Sequence, residues 1–275
     1  MGPETRLQIN QFLEAVAAAP ARLLMLDYDG TLAPLRKERD RVYPYPGMAA
    51  AVRKIMNGGR TRVVIVSGRE LSELILRLGI QPLPELWGLH GMQRRRTNGR
   101  VETARVKQCY RDALSDAGRW LDYQELRHTA EFKTGSIAAH WRGLSDSAAE
   151  EIRARVLLGW EPIADWSGLQ MLEFDGGVEI RAPGVDKGDV VRILLGEEGA
   201  GVVSAYLGDD STDESAFRAI RGRGLSVLVR PEWRETAAQL RLKPPEEVLD
   251  FLAQWLAACQ RNDAKDGATA VVVNG

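Results

Sequence analysis

Short apolar runs recur along the chain: Leu23-Leu24-Met25-Leu26, Val63-Val64-Ile65-Val66, residues 202–207 and residues 225–229. Successive side chains of a strand point to opposite faces, so a run such as residues 63–66, apolar at every position, cannot keep one face in water. Its β-branched character fits a strand buried on both sides, as in a parallel sheet covered by helices. Helical patterns separate the runs. Leu7, Phe12, Leu13, Val16 and Ala17 follow a 3.6-residue period that ends at Pro20. Pro44, Pro46 and Gly47 lead into a helix carrying Met48, Val52, Ile55 and Met56, stopped by Asn57-Gly58-Gly59, and residues 70–78 form another. This alternation predicts an α/β fold: a doubly wound, parallel-sheet, Rossmann-like core with right-handed crossovers.

The rhythm changes near residue 103. Residues 109–121 read as a helix, residues 127–141 as paired strands and residues 145–158 as a second helix. Asp175-Gly176-Gly177 between apolar runs then signals a hairpin. Helices beside hairpins predict a smaller α+β domain at residues 104–183, inserted into a core formed by residues 1–103 and 184–261. Residues 246–258 read as a closing helix, and residues 262–275, small and mixed in character, as a flexible tail.

The 275 residues suffice for two domains. A formal net charge of -1 provides no global field for nucleic acid or a membrane, so an anionic ligand must be held by local groups. No apolar run nears the ~20 residues that span a bilayer. Cys109 and Cys259 lack metal-ligand spacing and read as free thiols. The first residues lack a signal-peptide pattern, and the protein is read as cytoplasmic.

Polar groups stand directly after the apolar runs. Asp27-Tyr28-Asp29-Gly30-Thr31-Leu32 follows the first, Ser67-Gly68 the second, and Gly208-Asp209 the third, while Lys187 opens a helix. Open α/β sheets bind ligands beyond the carboxyl ends of their strands, so these groups are expected to converge on one crevice. Each alone is equally well explained as a helix N-cap; all four at this spacing are not. Asp27, Asp29, Asp209 and Asp213 would crowd several negative charges together, and like charges at short range do not all stay ionised unaided. Oxygen-only ligands favour Mg²⁺, expected on the Asp27 carboxylate, the Asp29 carbonyl and the Asp209 carboxylate, with Asp213 contributing directly or through water. Asp213 is otherwise a solvated acid favoured by its helix dipole.

The same residues suit phosphoryl transfer. Asp27 is the expected nucleophile, forming an aspartyl phosphate, and Asp29 moves the proton. Gly30 and Thr31 form a tight turn whose backbone N–H groups can meet phosphate. Ser67, next to Gly68, donates to the phosphoryl group, and Lys187 balances its charge. Tyr28 points to the other face and packs. Arg69 either serves the site or is a surface residue at a helix start.

In their order and spacing these motifs resemble the haloacid dehalogenase-like phosphatase superfamily, whose larger cap domain is inserted where residues 104–183 lie. Gly88-Leu89-His90-Gly91, Glu131-Phe132-Lys133, His140-Trp141-Arg142, Glu179-Ile180-Arg181 and Asp186-Lys187-Gly188 narrow the resemblance to the trehalose-6-phosphate phosphatase family, over about residues 23–217. That resemblance implies a Mg²⁺-dependent phosphatase acting on a phosphorylated disaccharide, trehalose 6-phosphate, with a cap that closes over the sugar. It places Glu131, Lys133 and Glu179, with His140 and Arg142, on the substrate. Read alone, Glu131 and Lys133 leave one face of a strand and equally fit a cross-strand ion pair, and His140 reads as a structural histidine.

Two positions depart from the family pattern. Gln93 stands where an acidic residue is usual, and Ala182 precedes Pro183. Arg94-Arg95-Arg96 is read as a solvated loop rather than a nucleic-acid site. The alternatives are a phosphatase of the same fold acting on sucrose phosphate or a glycosyl-phosphoglycerate, a sugar phosphomutase, and a non-catalytic phosphosugar-binding module. The sequence leaves the oligomeric state open.

Overall fold

A computed structural model describes residues 3–36, 41–58 and 60–272, with side chains for all of these but Glu4 and residues 262–272. The elements begin with α1 (Pro3–Ala18), β1 (Arg22–Leu26), α2 (Met48–Asn57), β2 (Thr61–Val66), α3 (Leu71–Leu78), β3 (Glu85–Gly88), β4 (Gln93–Arg95) and β5 (Val101–Thr103). Next come α4 (Gln108–Tyr123), β6 (Ala130–Lys133), β7 (Ser136–His140), α5 (Asp146–Ser167), β8 (Gln170–Phe174) and β9 (Gly177–Arg181). The last are α6 (Lys187–Glu198), β10 (Val203–Gly208), α7 (Glu214–Ile220), β11 (Gly224–Val229), β12 (Leu240–Leu242) and α8 (Glu246–Val272). Two compact units result: residues 1–101, 186–209 and 213–275, and residues 102–185 with 210–212.

The first unit is built on a sheet of order β12-β11-β10-β1-β2-β3-β4-β5. Strands β12 to β3 run parallel, and β4 turns antiparallel on β3. The all-apolar strands sit at its centre, with all five residues of β1 buried. Alternating side chains feed two layers. Leu24 and Leu26 join Val52, Phe251 and Trp255 in the core under α1, α2 and α8, whereas Leu23 and Met25 are fully buried on the other side. There α7 packs on β10, β11 and α6. Leu26 is in register with both Ile65 and Leu207, so β1, β2 and β10 end together.

The second unit is an antiparallel sheet of order β6-β7-β9-β8 with α4 packed on β7 and α5 on β8 and β9. The register aligns Glu131 with Ala138 and Glu179, and Lys133 with Ser136. Directly paired residues share a face. Glu131, Lys133, Ser136 and Glu179 therefore lie on one side, while the buried Ile137, Val178 and Ile180 lie on the other, towards the helices.

Several expectations change. The second helix of this unit does not stop near residue 158: α5 starts at its Ser145 cap, continues through Pro162 and ends at Gly168. The closing helix α8 extends past residue 258 to Val272, so residues 262–272 are helical rather than a free tail, and residues 273–275 lie outside the described residues. The arginine run is not a solvated loop. Arg94 is buried in β4, donates to Glu85 at 2.8 Å and to both oxygens of Glu197 at 2.7 Å, and stacks 4.7 Å from the Trp87 ring. Its charge is neutralised inside the unit. Among the described residues no helix is long and apolar enough to cross a membrane.

Candidate active site

The aligned ends of β1, β2 and β10 place the polar residues that follow them together. Asp27 N–H donates to the Leu207 carbonyl at 2.9 Å, which fixes the chain as it leaves β1 beside β10. Lys187 Nζ lies 2.7 Å from Asp27 Oδ1 and 2.7 Å from Asp213 Oδ1. The Tyr206 hydroxyl donates to Asp213 Oδ1 at 2.6 Å, and Asp209 N–H donates to Asp213 Oδ2 at 3.1 Å. One carboxylate oxygen from each of Asp27, Asp209 and Asp213 falls within 4.8 Å of the other two, and all three residues are buried. Residues separated by more than 180 positions thus meet in one crevice.

Lys187 is the first residue of α6, where the helix dipole opposes a cation, and burial opposes it further. Asp213 and then Asp27 outweigh both effects and hold the ammonium above its usual pKa. An Asp186–Asp189 capping box secures this helix start. Burial pushes the Asp27 carboxyl up to about 8 against the pull of Lys187, with Asp213 adding to the rise. Three carboxyl groups gather beside one ammonium, and every candidate donor is oxygen. That donor set fits a hard divalent cation. Gly30 keeps the space open: it has φ +80°, and a Cβ there would lie 2.0 Å from Asp209 Oδ2.

A pH dependence follows. In cation-free protein, a carboxyl at about 8 in the fold and 3.8 in the free chain stabilises the fold most below 3.8. That advantage is lost as pH rises through the folded value. The melting temperature of cation-free protein is expected to fall between about pH 5 and pH 8, and an added divalent cation to raise it more at the upper end. Asp27→Asn should flatten this slope, and an unchanged slope would assign it to another group.

Asp29 and Ser67 flank the cluster. Arg69 holds Asp29 at two points, Nε to Oδ2 at 2.7 Å and Nη2 to Oδ1 at 2.6 Å. Arg69 is fully buried and not a surface residue. The Ser67 hydroxyl oxygen accepts from Arg69 N–H at 3.1 Å, and Ser67 N–H donates to the Trp87 carbonyl at 2.8 Å. The next residue, Gly68, lies under the His90 ring, which a Cβ would approach to 2.6 Å. Gly30 N–H donates to the Ala33 carbonyl at 2.7 Å, so this amide is committed within the turn. Thr31 is fully buried, and its Oγ1 has no hydrogen-bond partner among the described residues. Tyr28 packs as expected, with its hydroxyl donating to the Val42 carbonyl at 3.1 Å.

A second cluster lies on the polar face of the antiparallel sheet. Lys133 Nζ is 3.6 Å from Glu131 Oε2 and 3.6 Å from Glu179 Oε1. Ser136 Oγ donates to Glu179 at 2.8 Å, and His140 Nε2 lies 3.2 Å from Glu131 Oε2. Arg142 is not part of this group: its guanidinium donates to the Asp175 carbonyl in the β8–β9 turn.

The chain matches the trehalose-phosphatase family model over residues 25–246. It belongs to the trehalose-phosphatase family. The match includes every residue of both clusters. A maize protein named trehalose 6-phosphate phosphatase RA3 is 32% identical, covering 89% of this chain and 73% of the maize protein. A Mycobacterium tuberculosis protein described as an uncharacterized glycosyl hydrolase is 28% identical over 98% of this chain, which spans only 21% of that relative's length. The solved C-terminal domain of Candida albicans trehalose-6-phosphate phosphatase shares the fold, with TM-score 0.80, 20% identity and coverage of 90% of this chain and 96% of that domain. The parallel-sheet α/β core and the smaller α+β unit expected from the sequence are present. At Gln93, where the family usually has an acid, the side-chain oxygen accepts from Leu71 N–H at 3.0 Å, so an amide supplies the acceptor at the start of α3.

Proposed function

We propose that the protein is a Mg²⁺-dependent phosphatase that hydrolyses trehalose 6-phosphate through an aspartyl phosphate, with residues 1–103 and 184–261 as catalytic core and residues 104–183 as cap. One observation carries the reading: the Lys187 ammonium bridges Asp27 and Asp213 at 2.7 Å each, beside Asp209. Lys187 occupies one oxygen of Asp27 and leaves the other to attack phosphorus. The leaving sugar alkoxide takes a proton from Asp29. Asp29 then takes a proton from the water that attacks the aspartyl phosphate, and the Asp27 carboxylate is restored with release of phosphate. The Ser67 hydroxyl, which uses a lone pair to order Arg69 N–H, keeps its own proton for a phosphoryl oxygen.

The Asp27 and Asp209 carboxylates, with the Asp29 carbonyl, would hold Mg²⁺, which when bound supplies positive charge to the phosphoryl oxygens. Asp213 already accepts from Lys187, Tyr206 and Asp209 N–H, so its role is to fix Lys187 and to reach a cation through water. Glu131, Lys133, Glu179 and His140 recognise sugar hydroxyls: the carboxylates accept and the ammonium donates.

The test is phosphate release from a panel of sugar phosphates, with and without Mg²⁺. Trehalose 6-phosphate is expected to be the preferred substrate and Mg²⁺ to be required. A preference for sucrose phosphate or a glycosyl-phosphoglycerate would overturn the substrate. An isomerised phosphosugar without free phosphate would replace the phosphatase with a mutase, and binding without turnover would replace it with a sensor. Glu131→Ala should lower kcat/KM for the disaccharide phosphate by roughly 10²-fold and for a small aryl phosphate by less than about 3-fold. Equal losses on both would remove the sugar-binding role.

A further inference from the structure

We propose that Arg69 is a positioning residue that sets the orientation of the Asp29 carboxylate. This rests on the reading of Asp29 as the proton carrier. The pair has the fork-to-fork form, with Nε to Oδ2 at 2.7 Å and Nη2 to Oδ1 at 2.6 Å. Two parallel bonds fix the plane of the carboxylate as well as its distance, which a single ammonium contact cannot do.

The two partners are unequal. The Arg69 side chain is 0% exposed, whereas that of Asp29 is 28% exposed. The guanidinium is thus the anchored member, and the carboxylate is the member presented to solvent and ligand. Its anchorage comes from three sides. The Tyr28 ring centroid lies 5.6 Å from the guanidinium carbon, Glu73 stands 3.5 Å from Nη1, and the backbone of Arg69 is held by the Ser67 hydroxyl and by Leu89 N–H. Burying an arginine costs more desolvation than its ion pair returns unless the geometry is very good, and an apolar side chain often stabilises such a position as well or better. Stability alone does not call for a guanidinium here; orienting Asp29 does. Arg69 also links the two halves of the site, because its backbone N–H orders the hydroxyl of Ser67 while its side chain orders Asp29.

The experiment compares kcat/KM for trehalose 6-phosphate in wild type, Arg69→Lys, Arg69→Gln, Asp29→Asn and the double variant Arg69→Lys/Asp29→Asn, with melting temperatures for all. Arg69→Lys keeps the charge and loses the fork, and it is the informative variant if Arg69→Gln does not fold. It should lower kcat/KM by roughly 10²-fold, as expected for a catalytic group displaced by about 1 Å. In the Asp29→Asn background it should cost nothing further, because there is no carboxylate left to orient. Full additivity of the two losses, or a near-normal Arg69→Lys enzyme, would overturn the proposal. The underlying reading fails in a different place: if Asp29→Asn itself keeps wild-type kcat/KM, Asp29 is not the proton carrier, whatever Arg69 does.

Discussion

Asp27→Asn is expected to leave a folded protein that releases no measurable phosphate from trehalose 6-phosphate. The substitution is nearly isosteric, and the amide oxygen can still accept from Lys187, so the 2.7 Å contact at the end of β1 survives. The amide is a far poorer nucleophile than a carboxylate. Losses of roughly 10⁴–10⁶-fold are typical when an attacking group is removed from an otherwise intact site. The fold should not suffer. Asp27 is buried beside Asp209 and Asp213, and an amide there never has to ionise where burial disfavours the carboxylate. The melting temperature of cation-free Asp27→Asn should therefore equal or exceed that of wild type near neutral pH. Phosphate release within about tenfold of wild type would exclude attack by Asp27, since no loss of nucleophile is that mild.

What the sequence made legible was governed by locality. Strands β1, β2, β10 and β11 could be read because burial on both faces writes an apolar run into consecutive residues. Asp27, Ser67 and Asp209 could be read because each immediately follows such a run. Strands β3, β4, β5 and β12 are three or four residues long, and β4 is Gln93-Arg94-Arg95, with no apolar pattern to see. Arg94 is buried only because Glu85 and Glu197 meet it from β3 and α6, and its pairing with Glu197 spans 103 positions. Arg69 and Tyr206 were hidden as well. Asp29, the partner of Arg69, is known only once β1 and β2 are known to be neighbours, whereas Asp213, the partner of Tyr206, lies just past the end of the same strand and depends on how that turn folds back. Tyr206 did carry a signal, since a tyrosine within an otherwise apolar central strand must find an acceptor for its hydroxyl. The reach of α5 through Pro162 could not be read, because packing of the helix on its sheet outweighs a local breaker.

Lys187→Met should cost both activity and stability, and the two losses should be separable. The ammonium is in direct contact with both Asp27 and Asp213, at 2.7 Å from each, in a site where Lys187 is 3% exposed. The substitution takes the ammonium away from two buried carboxyl groups, and breaking a buried ion pair from one side typically costs about 3–5 kcal/mol. Charge stabilisation during transfer is lost with it, a loss of roughly 10²–10³-fold in kcat when one oriented donor is removed. Adding Asp27→Asn to Lys187→Met removes one of the two carboxyl groups that the ammonium had bridged, so the double variant should melt above Lys187→Met alone while remaining inactive. A divalent cation should likewise raise the melting temperature of Lys187→Met more than that of wild type, because the variant cluster has lost the positive charge of the ammonium. If Lys187→Met melts like wild type and the second substitution adds nothing, the lysine is not what holds the carboxylates together, and the electrostatic account of the site would have to be rebuilt around a different cation.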